Sequence, residues 1–127
     1  MGKRIVIAED DRLLRDLLEI VLREEGFEVT GFGDGQAAIQ YLSVARDTKR
    51  LPSMILLDLN MPVVDGWGVA SWLDADPILG AIPVIVISAT EAHGKAAKAL
   101  NVDAYLVKPF TTDEIIGIVS LFSLITP

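Results

Sequence analysis

Short β-branched runs alternate with longer amphipathic stretches along the 127 residues of the chain. The runs fall at 4–8, 28–32, 54–58, 84–88 and 104–107. Three of them are nearly continuous apolar stretches, the pattern of strands covered on both faces of a parallel sheet. The second run is more polar and suits a sheet edge. Between the runs lie helical patterns. Leu13, Leu14, Leu17, Leu18, Val21 and Leu22 recur at helical spacing, and Gly26 stands where a helix stops. Asp34 is placed to cap a second helix carrying Ala37, Ala38, Ile39, Tyr41 and Leu42. Asp65 is placed to cap a third, which ends before Pro77. Thr90 opens a fourth that runs to about Leu100, and Thr111 or Thr112 opens a fifth. Asp113 and Glu114 lie in the first turn of that fifth helix, where the helix dipole favours negative charge. The order is strand then helix, five times over. Right-handed crossovers turn it into a doubly wound α/β sandwich. The stretch 46–53 is the longest polar connection and reads as a loop.

Composition narrows the function. Eleven Lys+Arg stand against 18 Asp+Glu, a formal net charge of -7, and 51% of residues are hydrophobic. That apolar content rules out intrinsic disorder. The sign of the charge argues against direct nucleic-acid binding. There is no cysteine and one histidine, His93, so disulfides, thiolate chemistry and multi-histidine metal sites are excluded. No signal peptide is visible, because the apolar run 5–8 stops at three acids. No apolar stretch approaches the ~20 residues that span a bilayer. The expectation is a cytoplasmic domain without a membrane partner.

Ligands of doubly wound sheets bind beyond the carboxyl ends of the strands. The first strand ends in Glu9, Asp10 and Asp11, the third in Asp58, the fourth in Ser88, Ala89 and Thr90, and the fifth in Lys108 and Pro109. The second ends in Gly31, Phe32 and Gly33 and offers nothing reactive. Carboxylates gathered on one rim repel one another. Two unit charges ~4 Å apart cost about 4 kcal/mol at the effective dielectric of a protein surface. A hard divalent cation removes that cost. Mg²⁺ prefers one or two carboxylates plus waters and phosphate oxygens. Lys108 adds a point charge for a phosphoryl oxygen, and Ser88 adds a hydroxyl. This is equipment for phosphoryl transfer, with Asp58 on the middle strand as the natural nucleophile.

Five segments then resemble a known family: 5–11, 55–62, 65–66, 84–89 and 104–110. Together and in this order they are similar to the response-regulator receiver domain, the phosphoacceptor half of two-component signalling. The resemblance covers essentially the whole chain and implies one receiver domain over 1–127. It implies a flavodoxin-like sandwich with strand order 2-1-3-4-5. Asp58 is then the phosphorylated residue. Asp10 ligates Mg²⁺ directly and Glu9 mainly through water, with Asp58 and the backbone carbonyl of Asn60 completing the set. Lys108 pairs with the phosphoryl group, Ser88 is the switch hydroxyl, and Tyr105 is the aromatic that turns inward on activation. Lys108-Pro109 is then a cis peptide. The side chains of Asn60 and Thr90 fall where the family tunes dephosphorylation. The implied donor is a phosphohistidine on a histidine kinase or phosphotransfer protein. The implied output is a changed face of helix 4, strand 5 and helix 5, offered to an effector or to a second copy. Such a domain catalyses only its own phosphorylation and dephosphorylation.

Other readings compete with these. A haloacid-dehalogenase phosphatase needs an acid two residues after its nucleophile, where Asn60 stands, and a cap insertion this length cannot hold. A flavin carrier needs a hydroxyl- and glycine-rich loop where three acids stand. An unphosphorylated adaptor usually lacks Asp10, Asp58 or Lys108. Met1 fits a natural start, and a domain cut from a longer protein remains an open alternative. Asp11 reads as the cap of the first helix, His93 as a surface residue without a partner, and Gly66 as support for a turn. Trp67 and Trp72 do not share a helix face cleanly, so one is expected to pack and the other to be partly exposed. Gly94 costs its helix about 1 kcal/mol if it is interior, or else marks an irregular first turn. The fifth helix, with Ile115, Ile116, Ile118, Val119, Leu121, Phe122, Leu124 and Ile125, reads as apolar all round and suggests a covered outer face.

Overall fold

Residues 3–124 are described in a computed structural model. The elements are β1 (Arg4–Ala8), α1 (Arg12–Glu24), β2 (Glu28–Phe32), α2 (Gly35–Asp47), β3 (Met54–Asp58), α3 (Gly66–Asp74), β4 (Val84–Ser88), α4 (Glu91–Ala97), β5 (Ala104–Val107) and α5 (Thr112–Ser123). Short 3₁₀ turns follow α3 at Leu79–Ala81 and α4 at Lys98–Leu100. All strand pairs are parallel, and the order is β2-β1-β3-β4-β5. The polar second run is an edge, as its composition implied. No helix among the described residues is long and apolar enough to cross a membrane.

Each helix begins where a side chain replaces missing backbone partners. Asp11 accepts from the amides of Leu13 and Leu14, Asp34 from Ala37, Asp65 from Gly68 and Thr90 from His93. Thr111, not Thr112, caps α5, in a reciprocal capping box with Glu114. Alternation along the strands sends side chains to two cores. Val6, Ile55, Leu57 and Val86 meet α2 and α3 on one face. Ile5, Ile7, Leu56, Ile85 and Ile87 meet α1 and α5 on the other. All five residues of β3 and of β4 are buried.

Several details depart from the sequence pattern. Arg46 and Asp47 belong to the end of α2, where Arg46 reaches Asp76 at 2.6 Å, so the loop starts later than 46. Regular α4 stops at Ala97 rather than near Leu100. Both tryptophans are partly buried against the same core. His93 is exposed but has a partner: Trp67 meets it edge-on, with ring centroids 6.1 Å apart. In α5, Ile115 and Val119 are buried, while Ile116, Ile118 and Phe122 pack partly against the core. Gly117 and Ser120 lie on the outer side, so the helix is not apolar all round. Leu121 and Leu124 remain 60% and 83% exposed. Ile125 lies outside the described residues.

Gly66 starts α3 directly against the end of β3. A Cβ there would lie 2.1 Å from the Asp58 carbonyl oxygen and 2.5 Å from the Leu59 Cα, neither of which can swing aside. Helix propensity alone favours alanine by about 1 kcal/mol. Overpacking against fixed backbone costs more, typically 1–3 kcal/mol. Gly66→Ala is therefore expected to lower the urea unfolding midpoint. A raised midpoint would show that helix propensity decides.

Candidate functional site

Among the described residues the buried polar or charged side chains are Glu9, Asp58 and Ser88. All three sit at the carboxyl ends of adjacent central strands, β1, β3 and β4. A core that is otherwise apolar thus concentrates its polar groups on one rim. Glu9 is 0% exposed and Asp58 2% exposed, while Asp10 faces solvent. One carboxylate oxygen from each of Glu9, Asp10 and Asp58 lies within 4.8 Å of the others. The sequence-predicted acids therefore converge, with Asp11 left to cap α1.

Lys108 closes the cluster from the end of β5. Its ammonium lies 3.0 Å from Glu9 Oε1 and 3.4 Å from Asp58 Oδ2. The Asn60 amide donates to Asp58 Oδ1 at 3.1 Å, and the Asp11 amide donates to Glu9 Oε2 at 3.1 Å. Glu9 Oε1 accepts no directed hydrogen bond, although the ammonium is close. Burial, reinforced by Asp58, pushes the Glu9 carboxyl up to about 8. Burial pulls Lys108 down, but Glu9 and then Asp58 outweigh it and leave Lys108 above the usual lysine range. The site is thus over-supplied with negative charge for the single ammonium within it. Its three converging carboxylate oxygens are hard donors and fit a divalent cation such as Mg²⁺.

Ser88 is not turned toward Asp58. Its hydroxyl donates to the Thr90 carbonyl at 2.5 Å and accepts from the Thr90 amide at 3.1 Å. The Thr90 hydroxyl is spent on capping α4. Asn60 is exposed beside the nucleophile. Tyr105 lies over α4, its hydroxyl donating to Glu91 Oε1. Gly94 makes that seat possible: a Cβ there would come 2.3 Å from the Tyr105 ring. The glycine is interior to α4 and is explained by close approach, not by an irregular turn. The Lys108-Pro109 bond is cis, as expected.

Two contributors escaped the sequence. Glu91, an exposed acid in the first turn of α4, holds Tyr105. Arg15 of α1 donates from Nη1 to the Glu9 carbonyl at 2.8 Å. The available signal is a pair of glycines at the end of β2 and a long cation on α1.

The chain matches the family model described as the response regulator receiver domain over residues 5–120. It is 34% identical over 122 residues to the transcriptional regulatory protein PdtaR of Mycobacterium tuberculosis, covering 94% of this chain and 56% of that protein. The chain spans about half the length of the curated relatives it matches. The receiver domain of a Francisella response regulator shares its fold with a TM-score of 0.83 at 27% identity, covering 95% of this chain and 96% of that one. The receiver domain of a Pseudomonas aeruginosa sensor histidine kinase, solved with a magnesium ion in its active-site cleft, gives a TM-score of 0.78 at 26% identity, with 96% and 98% covered. Matched along nearly its whole length and carrying the acidic rim, the amine and the hydroxyl at the strand ends, this chain belongs to the response-regulator receiver domain family.

Proposed function

We propose that this domain accepts a phosphoryl group on Asp58 from a phosphohistidine of a histidine kinase or histidine phosphotransfer protein, in a Mg²⁺-dependent reaction in the cytoplasm. The observation that carries this reading is the buried Asp58 carboxylate, 3.4 Å from the Lys108 ammonium and within 4.8 Å of the Glu9 and Asp10 oxygens. Glu9, Asp10 and Asp58 would hold Mg²⁺, with the Asn60 carbonyl added by family resemblance. Bound there, Mg²⁺ supplies charge neutralisation for the phosphoryl oxygens.

The Asn60 amide fixes Asp58 Oδ1. An Asp58 oxygen attacks phosphorus, the P–N bond to the donor imidazole breaks, and the imidazole leaves with the bond's electron pair. Lys108 neutralises charge on the transferred group. Hydrolysis by water later breaks the acyl phosphate to aspartate and inorganic phosphate, with Asn60 and Thr90 beside its path. The domain has no other turnover. Beside Lys108 lies a groove of about 250 Å³ lined by Asp11, Leu14, Lys108, Pro109 and Phe110, which leaves the ammonium's side of the site open to a donor.

The new phosphoryl oxygens compete with the Thr90 carbonyl for the Ser88 hydroxyl. Ser88 turns inward, and Tyr105 leaves Glu91 and follows. The face of α4, β5 and α5 then changes toward an effector protein or a second copy. That is a shift between two populations, driven by contacts present in only one of them. Exposed Leu121 and Leu124 give the face an apolar border.

Incubation with acetyl phosphate and Mg²⁺ is expected to add one hydroxylamine-labile phosphoryl group to the wild type and none to Asp58→Asn, read by intact mass. An unmodified wild type, or equal labelling of the variant, would overturn the reading. Glu9 gives a second expectation. Its folded-state value of about 8 exceeds the ordinary 4.5, so between those values the native state holds a proton that the unfolded chain has released. Metal-free stability should therefore fall by a few kcal/mol as pH climbs through that window, and level off above it. Glu9→Gln should flatten the slope in urea unfolding with chelator present. An unchanged slope would place the titration elsewhere.

A further inference from the structure

We propose that Arg15 is a positioning residue for the acidic rim, acting from the main-chain side of Glu9 while Lys108 acts from its carboxylate side. The inference rests on the metal-assisted reading above and adds to it a residue from outside the cluster. The Glu9 amide continues the sheet by donating to the Phe32 carbonyl at 3.0 Å. The Glu9 carbonyl lies beyond the last strand residue, where a partner must come from elsewhere. Arg15 Nη1 supplies it at 2.8 Å, a charge-assisted bond from the second turn of α1. Among the described residues no other donor reaches that oxygen. The peptide it fixes is the one that carries Asp10, the exposed acid of the cluster.

The path of this side chain explains the empty end of β2. A Cβ on Gly31 would lie 3.1 Å from Arg15 Cδ and 2.3 Å from Glu19 Oε1. A Cβ on Gly33 would lie 3.1 Å from Arg15 Nη1. Neither glycine has a positive φ, so backbone conformation does not require glycine at either place. Space does. Two residues apart at the end of the edge strand, they leave a track for the guanidinium to reach the end of the neighbouring strand. The strand end that carries no reactive group thus serves the site by staying bare.

Outer-shell partners of metal ligands typically contribute 10–100-fold to metal affinity. Calorimetric titration with Mg²⁺ should therefore show Arg15→Gln weaker than wild type by about 10-fold or more. Arg15→Lys, which keeps a cationic donor, should recover part of the loss. Gly33→Ala, whose methyl would press on Nη1 at 3.1 Å, should weaken binding with Arg15 intact, and by less than Arg15→Gln. Arg46→Gln breaks a remote ion pair and should leave Mg²⁺ affinity unchanged, which separates positioning from general loosening. In metal-free protein the amide resonances of Asp10 and Asp11 should move in Arg15→Gln. Wild-type affinity and unmoved amides in Arg15→Gln would overturn the inference while leaving the metal reading intact. A wild type that takes up no Mg²⁺ would defeat the metal reading, and the metal-free amides would still decide the role of Arg15. Should Arg15→Gln fail to fold, Gly33→Ala and Arg15→Lys carry the same test.

Discussion

Two carboxylates that water scarcely reaches share one lysine, and most of the site's architecture follows from that constraint. Ionising Glu9 beside Asp58 is costly where solvent is excluded. Lys108 offsets part of the cost at 3.0 and 3.4 Å, and a proton on Glu9 offsets more in the absence of metal. The remaining demand for positive charge makes the rim receptive to a divalent cation. Under the proposed function the same demand extends to a phosphoryl group, whose charge the cation and Lys108 would absorb. Precise placement of Asp58 matters because phosphoryl transfer gains chiefly from positioning and electrostatics.

The fold meets the constraint through parallel strands. Every strand of such a sheet releases its chain at the same end, so acids from β1 and β3, a hydroxyl from β4 and an amine from β5 arrive together without long loops. The helix that follows β1 is capped by Asp11, whose backbone amide donates to Glu9 Oε2, so its positive N-terminal end lies beside the acids. Gly66 lets α3 begin against Asp58 itself. On the output side, Ser88 and Tyr105 are each held by a hydrogen bond that points away from the nucleophile, to Thr90 and Glu91 respectively. In the proposed activation those bonds would be exchanged for others, which would give the switch two discrete arrangements rather than a continuum.

Much of this was legible in the sequence because it depends on local chemistry. Asp11, Asp34, Asp65, Thr90 and Thr111 cap helices through side chains that reach only two or three residues onward. Glu9, Asp10, Asp58, Ser88 and Lys108 were legible because strand ends of a parallel sheet must converge. What escaped depends on pairs distant in sequence. Gly94 looked like a defect in a helix until the Tyr105 ring was found against it. Gly31 and Gly33 looked inert until Arg15 was seen to cross them. The fifth helix reads as apolar all round because its exposed side is made by the small residues Gly117 and Ser120, which interrupt the apolar run only briefly.

The claim that unites these features is that the buried acids are strained without a cation and relieved by one. Urea unfolding at increasing Mg²⁺, at a pH above the range in which Glu9 titrates, tests it most directly. Stability should climb with the logarithm of Mg²⁺ once the site saturates, as required of a ligand bound by the native state alone, and much less in Asp58→Asn. A midpoint indifferent to millimolar Mg²⁺, or one raised equally in that variant, would contradict it.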